Sequence, residues 1–129
     1  MASIFTRIVN GDIPCHKVAE DERFLAFLDI DPLREGHTLV IPKVEVDYLF
    51  DLDDAVLEGM LPFAKNVARK IKAVVPCTRV GVTVIGLEVP HAHIHLIPID
   101  GIHDMEFGRP KVKFSQEELG ALAARLRSA

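Results

Sequence analysis

The stretch His91-Ala92-His93-Ile94-His95-Leu96-Ile97-Pro98 decides the reading of this chain. In extended backbone, successive side chains point to opposite faces, so the three histidines share one face at roughly 6.5–7 Å intervals. Ala92, Ile94 and Leu96 share the other. One face suits an apolar core and the other is made of imidazole. Half of the six histidines of the chain stand within the five residues from His91 to His95. Three roles fit such a row. It can be polar decoration of an exposed strand. It can ligate zinc, with a further ligand from His16, His37 or His103. Or one ring can attack phosphorus while its neighbours orient it or bind phosphate oxygens. Strict alternation, apolar residues between the histidines and the Gly86…Pro90 lead-in tell against decoration.

Working outward, Phe24 to Asp29 alternates, with Leu25, Phe27 and Asp29 on one face and Phe24, Ala26 and Leu28 on the other. Asp31-Pro32 and Glu35-Gly36 are turn residues, and His37 to Ile41 forms the next strand, stopped by Pro42. His37 and Leu39 point together. Laid beside the histidine strand, these segments give one face imidazoles for phosphate, the Asp29 carboxylate for hydroxyls and apolar groups for a base. From Asp53, a predicted N-cap, apolar residues recur with helical spacing from Val56 to Val75, ended by Pro76. Gly59 and Pro62 are costly inside a helix and predict a kink or a late start there. Ile4 to Val9 reads as a short helix, Arg79 to Ile85 as a β-branched strand, Ala92 to Ile99 as the histidine strand and Gly101 to Lys113 as loop. Ser115 caps a last helix with Glu118 completing a capping box. The expected class is α+β, with an antiparallel sheet of about five strands, one long helix and short terminal helices.

Composition sets the bounds. The 129 residues (14.3 kDa) predict a single domain spanning 1–129. Hydrophobic residues make up 49% and charged ones 26%, which describes a soluble chain with a core to bury. The net charge of −4 tells against a nucleic-acid surface, since phosphate backbones are gripped by clustered Lys and Arg. A small nucleotide needs only a few local donors. No segment reads as a signal peptide or membrane span. Cys15 and Cys77 form no paired motif, which suits a reducing compartment, and a cytoplasmic location is expected.

The chain resembles the histidine-triad (HIT) hydrolases, closest to their Hint-like branch. The resemblance runs from Ile4 to about Pro98: Ile4-Phe5…Ile8-Val9-Asn10-Gly11-Asp12-Ile13-Pro14, then Phe24-Leu25-Ala26-Phe27-Leu28-Asp29-Ile30…Pro32, then Gly36-His37-Thr38-Leu39-Val40-Ile41-Pro42-Lys43, and the triad itself. It implies a HIT-like fold, a homodimer, and hydrolysis of purine nucleotides at the α-phosphate through a nucleotidyl-histidine intermediate. By position, His93 would be the nucleophile. His95 and His37 would contact the α-phosphate, and His91 would place the nucleophilic ring. Asp29 would take the ribose hydroxyls. Ile4, Phe5, Ile8, Phe27, Ile30 and Leu39 would hold the base. No cofactor is implied.

Two departures shape the expectation. Relatives place Gly-Gln-Ser/Thr just before the triad, whereas this chain has Gly86-Leu87-Glu88. Glu88 therefore stands on the leaving-group side, where a carboxylate repels polyphosphate. A nucleotide-binding or regulatory module with little turnover is the alternative, and a metal-dependent enzyme using the strand histidines is a third. Some bacterial relatives hold a structural zinc with two N-terminal cysteines, a His after the IPK segment and the first triad His. Ser3, Thr6 and Glu45 occupy three of those four positions here, so no structural zinc is expected.

Overall fold

A computed structural model describes residues 2–129. One five-stranded sheet organises it, formed by β1 (Lys17–Glu20), β2 (Phe24–Leu28), β3 (Thr38–Pro42), β4 (Arg79–Thr83) and β5 (Ile94–Ile99). The spatial order is β1-β2-β3-β5-β4 and every neighbouring pair is antiparallel. Three helices complete the α+β fold: α1 (Ile4–Val9), α2 (Asp54–Val74) and α3 (Gln116–Ser128).

The period-two pattern of β2 is realised on two buried faces. Phe24, Ala26 and Leu28 join Val40, Ala92, Ile94 and Leu96 in the larger core, where Met60, Ala64, Val67 and Ile71 of α2 and Leu119, Leu122, Ala123 and Leu126 of α3 cover the sheet. Leu25, Phe27, Leu39 and Ile41 face the other way and are covered by Phe5 of α1. In register, Phe27 faces Leu39, and Leu39 faces His95. That row carries the imidazole face into the smaller cluster.

Local chemistry explains the helices. Ser3 caps α1 by accepting from the Thr6 N–H at 3.0 Å. Ser115 accepts from the Glu118 N–H at 3.0 Å, and Glu118 accepts from the Ser115 N–H at 2.9 Å, so the capping box is real. The late start expected for the long helix does not occur: α2 begins at Asp54 and runs through both Gly59 and Pro62. Pro62 and Glu58, whose carbonyl loses its partner to the proline ring, are both exposed, so the break in the helix bonding falls on the solvent side. At Gly59 a Cβ would lie 3.2 Å from the buried Phe24 ring, so glycine permits β2 to pack close under the helix.

Several predicted boundaries shift. β2 ends at Leu28 and β3 begins at Thr38, leaving Asp29 and His37 just outside their strands. β4 stops at Thr83 rather than Ile85. The histidine strand begins at Ile94 instead of Ala92, because the backbone before it bonds elsewhere: the His91 N–H to the Val89 carbonyl and the Ala92 N–H to the Val46 carbonyl. The expected loop 101–113 contains a 3-10 turn over Ile102–Met105. β1 was not anticipated from the sequence, since only Val18 of its four residues is buried.

Candidate active site

Four imidazoles converge although three of them, His37, His91 and His93, precede their strands. His37, His91, His93 and His95 are all buried, at 1%, 0%, 6% and 7% exposure. The ring centroids of His37 and His95 are 5.2 Å apart, and those of His93 and His95 are 5.0 Å apart. Among the described residues every buried side-chain nitrogen and oxygen has a hydrogen-bond partner. The arrangement is therefore a satisfied network, and its proton positions follow from what each partner can do.

At His37, the Leu33 N–H donates to Nδ1 at 3.0 Å. An Nδ1 that accepts leaves the proton of the neutral ring on Nε2, and Nε2 lies 2.9 Å from His95 Nδ1. His37 thus donates to His95, whose own proton sits on Nε2. At His93, Nδ1 lies 2.7 Å from the His91 carbonyl, which can only accept. His93 is protonated on Nδ1 and its Nε2 carries a bare lone pair. The site thus sets an imidazole lone pair on His93 beside the imidazole N–H of His95.

Burial disfavours the charged forms of His37, His93 and His95. It pushes His37 down to about 3, with the His95 charge adding to the effect, and His95 down to about 4, with His93 adding. His93 is lowered as well, chiefly by burial. Asp29 moves the other way, to about 6, because burial outweighs the hydrogen bond its Oδ1 accepts from the Asp31 N–H at 2.8 Å. Its Oδ2 stands 3.5 Å from His37 Nε2.

The apolar residues divide. Phe5, Phe27 and Leu39 are in one cluster, with Ile8 packed against it. The Phe5 ring meets Phe27 edge-on at 5.5 Å and His93 at 5.1 Å. These buried side chains already touch, so they form a floor, with no gap for a base between them. Ile4 and Ile30 lie outside the cluster, 48% and 70% exposed, free to meet a ligand. Glu88 is exposed, and its charge acts on both Asp29 and His93. A cavity of about 360 Å³ is lined by Tyr48, Phe50, Val84 and Ile85 as well as His93. A broader hollow of about 510 Å³ between α2 and β4 contains none of these groups.

Phe107 and Lys111 belong to this neighbourhood and were not foreseen. Phe107 covers His95 at 4.9 Å and His37 at 6.1 Å between ring centroids. Lys111 Nζ donates to the Phe107 carbonyl at 2.7 Å, and its charge reaches Asp29 and His37. A lone Phe-Gly and a Lys in a polar stretch carry no periodicity, so nothing in the sequence flagged them.

Asp29, His37 and His95 have potential ligand atoms within 4.8 Å of one another, the spacing a metal ion needs. The protons tell against it. His37 could coordinate through Nε2 only by giving up its last proton, since Nδ1 accepts from Leu33. His16, which pairs with Gln116, and His103, which pairs with Glu106, are engaged on the surface.

Comparison with known proteins agrees with this geometry. A family model described as the HIT domain matches residues 10–102. An adenosine 5'-monophosphoramidase of Schizosaccharomyces pombe is 38% identical over 133 residues, covering 99% of this chain and 98% of its own. Another from Saccharomyces cerevisiae is 36% identical, covering 94% and 78%. Among solved structures, a HIT-like protein involved in cell-cycle regulation from Bartonella henselae superposes with a TM-score of 0.84 at 29% identity, over 98% of this chain and 95% of that one. A zinc-bound histidine triad family protein from Mycobacterium smegmatis gives 0.83 at 31%, over 99% and 95%.

Proposed function

Because the chain belongs to the HIT domain family, we propose that it hydrolyses purine nucleoside 5'-phosphoramidates, or related nucleotide conjugates, at the α-phosphate through a nucleotidyl intermediate on His93. The observation that carries this reading is the bond from His93 Nδ1–H to the His91 carbonyl, which leaves Nε2 as a fixed lone pair. An adenosine 5'-monophosphoramidase that is 38% identical along nearly the whole of both chains supports the substrate class.

In the first step the Nε2 lone pair attacks phosphorus. The P–Nε2 bond forms as the P–N bond to the leaving amine breaks. The amine nitrogen takes its proton from solvent, and the attacking water of the second step returns one to solvent. The positive charge that develops on the His93 ring is met at Nδ1 by the His91 carbonyl. His95, held by His37, donates from Nε2 to a non-bridging oxygen, where charge accumulates. Water then attacks phosphorus, the P–Nε2 bond breaks, and the nucleoside monophosphate leaves with the ring restored. Asp29 accepts from the ribose hydroxyls. The base rests over the floor of Phe5, Phe27 and Leu39, flanked by Ile4, Ile8 and Ile30.

The exposed Glu88 and Leu87 favour a second reading, a nucleotide-binding module with little turnover, because they put no neutral donor beside the leaving group. Incubation with adenosine 5'-phosphoramidate separates the two. Release of AMP by the wild type, with none from His93→Asn at nearly unchanged AMP affinity, supports catalysis, because the loss falls on the transition state. Hydrolysis by His93→Asn at the wild-type rate overturns the assignment, and AMP binding without release favours the module.

The proposed assembly is a homodimer. β4 has one neighbour and an open edge, with Val82, Val84 and Ile85 exposed beside it and Leu61 exposed on α2. Light scattering at micromolar protein is expected to report about twice 14.3 kDa, and a monomer throughout contradicts it. A reducing, cytoplasmic location suits the free thiols of Cys15 and Cys77. Among the described residues no helix is long and apolar enough to cross a membrane.

A further inference from the structure

Ser3, Thr6, Glu45 and His91, the four positions that resemble a zinc site in some relatives, are joined here by hydrogen bonds. Two of the four side chains are neutral alcohols, whereas zinc takes thiolate, imidazole or carboxylate, so the donor set does not fit the metal. The protons can be followed through the group. The Glu45 carboxylate can only accept, and Oε1 takes the Thr6 hydroxyl at 2.5 Å and the Ser3 N–H at 2.6 Å. With its proton committed to Glu45, Thr6 has none for His91 Nδ1, 3.3 Å away. Ser3 Oγ accepts from the Thr6 N–H at 3.0 Å and lies 2.9 Å from His91 Nδ1. On the far side of the ring, His91 Nε2 lies 2.8 Å from the Pro42 carbonyl, another obligate acceptor. His91 therefore carries its proton on Nε2 and receives one at Nδ1 from Ser3. Its ring is held at both nitrogens, between α1 and the end of β3.

We propose that Ser3, aligned by Thr6 and Glu45, is a positioning residue that sets the tautomer and orientation of His91, and through the His91 carbonyl the tautomer of the nucleophilic His93. The inference rests on the reading of His93 as nucleophile, and it assigns the hydrogen-bonded cluster the task of keeping that nucleophile's lone pair on Nε2. Ser3 is nearly as buried as the triad, at 6% exposure, so water does not compete for its hydroxyl. The device is complete only when Ser3 donates. A group that merely caps α1 leaves His91 Nδ1 without its proton donor, and the ring is free to turn.

Ser3→Asp separates capping from donation, because aspartate still accepts from the Thr6 N–H but has no proton to give. Ser3→Ala removes both without adding charge. In full-length protein with ¹⁵N-labelled histidine, the wild type is expected to show His93 protonated on Nδ1 and His91 on Nε2, each as one neutral tautomer. In Ser3→Asp and Ser3→Ala the Nδ1–H form of His93 loses its dominance. With adenosine 5'-phosphoramidate, kcat falls on the order of 10- to 100-fold, as when an orienting partner of a reactive imidazole is lost, while AMP affinity is kept. Ser3→Thr, which retains the hydroxyl, restores kcat and the tautomer toward wild type. A His93 tautomer unchanged in Ser3→Asp overturns the proposal, whatever the activity. So does a parallel loss of kcat, AMP affinity and melting temperature, which marks the cluster as a structural pin alone. If the wild type shows no turnover, the reaction assigned to His93 fails, and the tautomer measurement still decides the role of Ser3.

Discussion

Glu88 is an acidic side chain whose charge reaches the imidazole cluster, opposing ionisation of Asp29 while favouring protonation of His93. A pyrophosphate leaving group brings negative charge toward it, whereas an amine brings none. The protein is therefore expected to hydrolyse AMP–amine conjugates far better than diadenosine polyphosphates. Glu88→Ser narrows that gap, mainly by improving the polyphosphate, and added salt narrows it partly by screening. A ratio of kcat/KM values unchanged by the substitution would assign Glu88 to the solvated loop alone. Asp29 poses a second test at this scale. One of its oxygens accepts from the Asp31 N–H and the other stands near His37, leaving acceptor capacity for ribose hydroxyls. AMP should bind better than its 2',3'-dideoxy analogue by about 1–3 kcal/mol, the cost of an unpaired buried polar group. Asp29→Ala should erase the preference, and an equal preference in both proteins removes Asp29 from the site.

Elements show where packing overrides local propensity. Exchanging a helix-interior glycine for alanine stabilises by up to about 1 kcal/mol on propensity alone. At Gly59 the added methyl meets Phe24 Cε2 at 3.2 Å and Cζ at 3.4 Å, on a ring only 2% exposed and held by the core. Gly59→Ala is thus expected to lower the thermal midpoint, and a higher one would show that the ring can yield. Ser115→Ala provides the contrasting case, losing about 1 kcal/mol with its cap, since its box stands on the surface away from such contacts. The same opposition explains what could be read beforehand. Alternation told which face each residue of β2 takes, and it placed Ala92, Ile94 and Leu96 in the core, because a buried sheet enforces its period. It extended the histidine strand too far because alternation cannot show that Ala92 bonds to Val46 across a loop. The imidazoles themselves were legible, as a rare residue type concentrated in one place. Phe107, Lys111 and the hydrogen bonds that join Glu45 to Ser3 and Thr6, and Ser3 to His91, were not, since they depend on where a loop returns or on contacts between distant parts of the chain.

Taken over the whole molecule, the buried site couples stability to acid in two opposing ways. His37 and His95 titrate at about 3 and about 4 in the folded protein, because burial disfavours their charged forms. An unfolded histidine titrates near 6.5. Between those values the unfolded chain binds more protons than the folded one, so stability falls as the pH drops from about 6.5 toward 3. Asp29 has the opposite sign. Its folded value of about 6 exceeds its ordinary value of 3.8, so the folded chain binds the extra proton between them. Its burial cost is fully felt above pH 6 and is relieved as the pH falls to 3.8, offsetting part of the histidine loss in that window. Asp29→Asn removes the offset. Thermal midpoints measured from pH 7.5 to pH 4 should decline in the wild type below about 6.5. In Asp29→Asn they should start higher relative to the acid end and decline more steeply between pH 6 and 4. His37→Asn should flatten the wild-type slope by removing the most depressed imidazole. A variant profile parallel to the wild type's in that window would mean that Asp29 titrates as an ordinary solvated carboxylate. The ribose contact would then act through a group charged at every working pH, and AMP affinity should lose any dependence on pH near 6. If Asp29 does titrate there, affinity for AMP should rise through the same interval as the carboxylate forms, while affinity for the dideoxy analogue gains less.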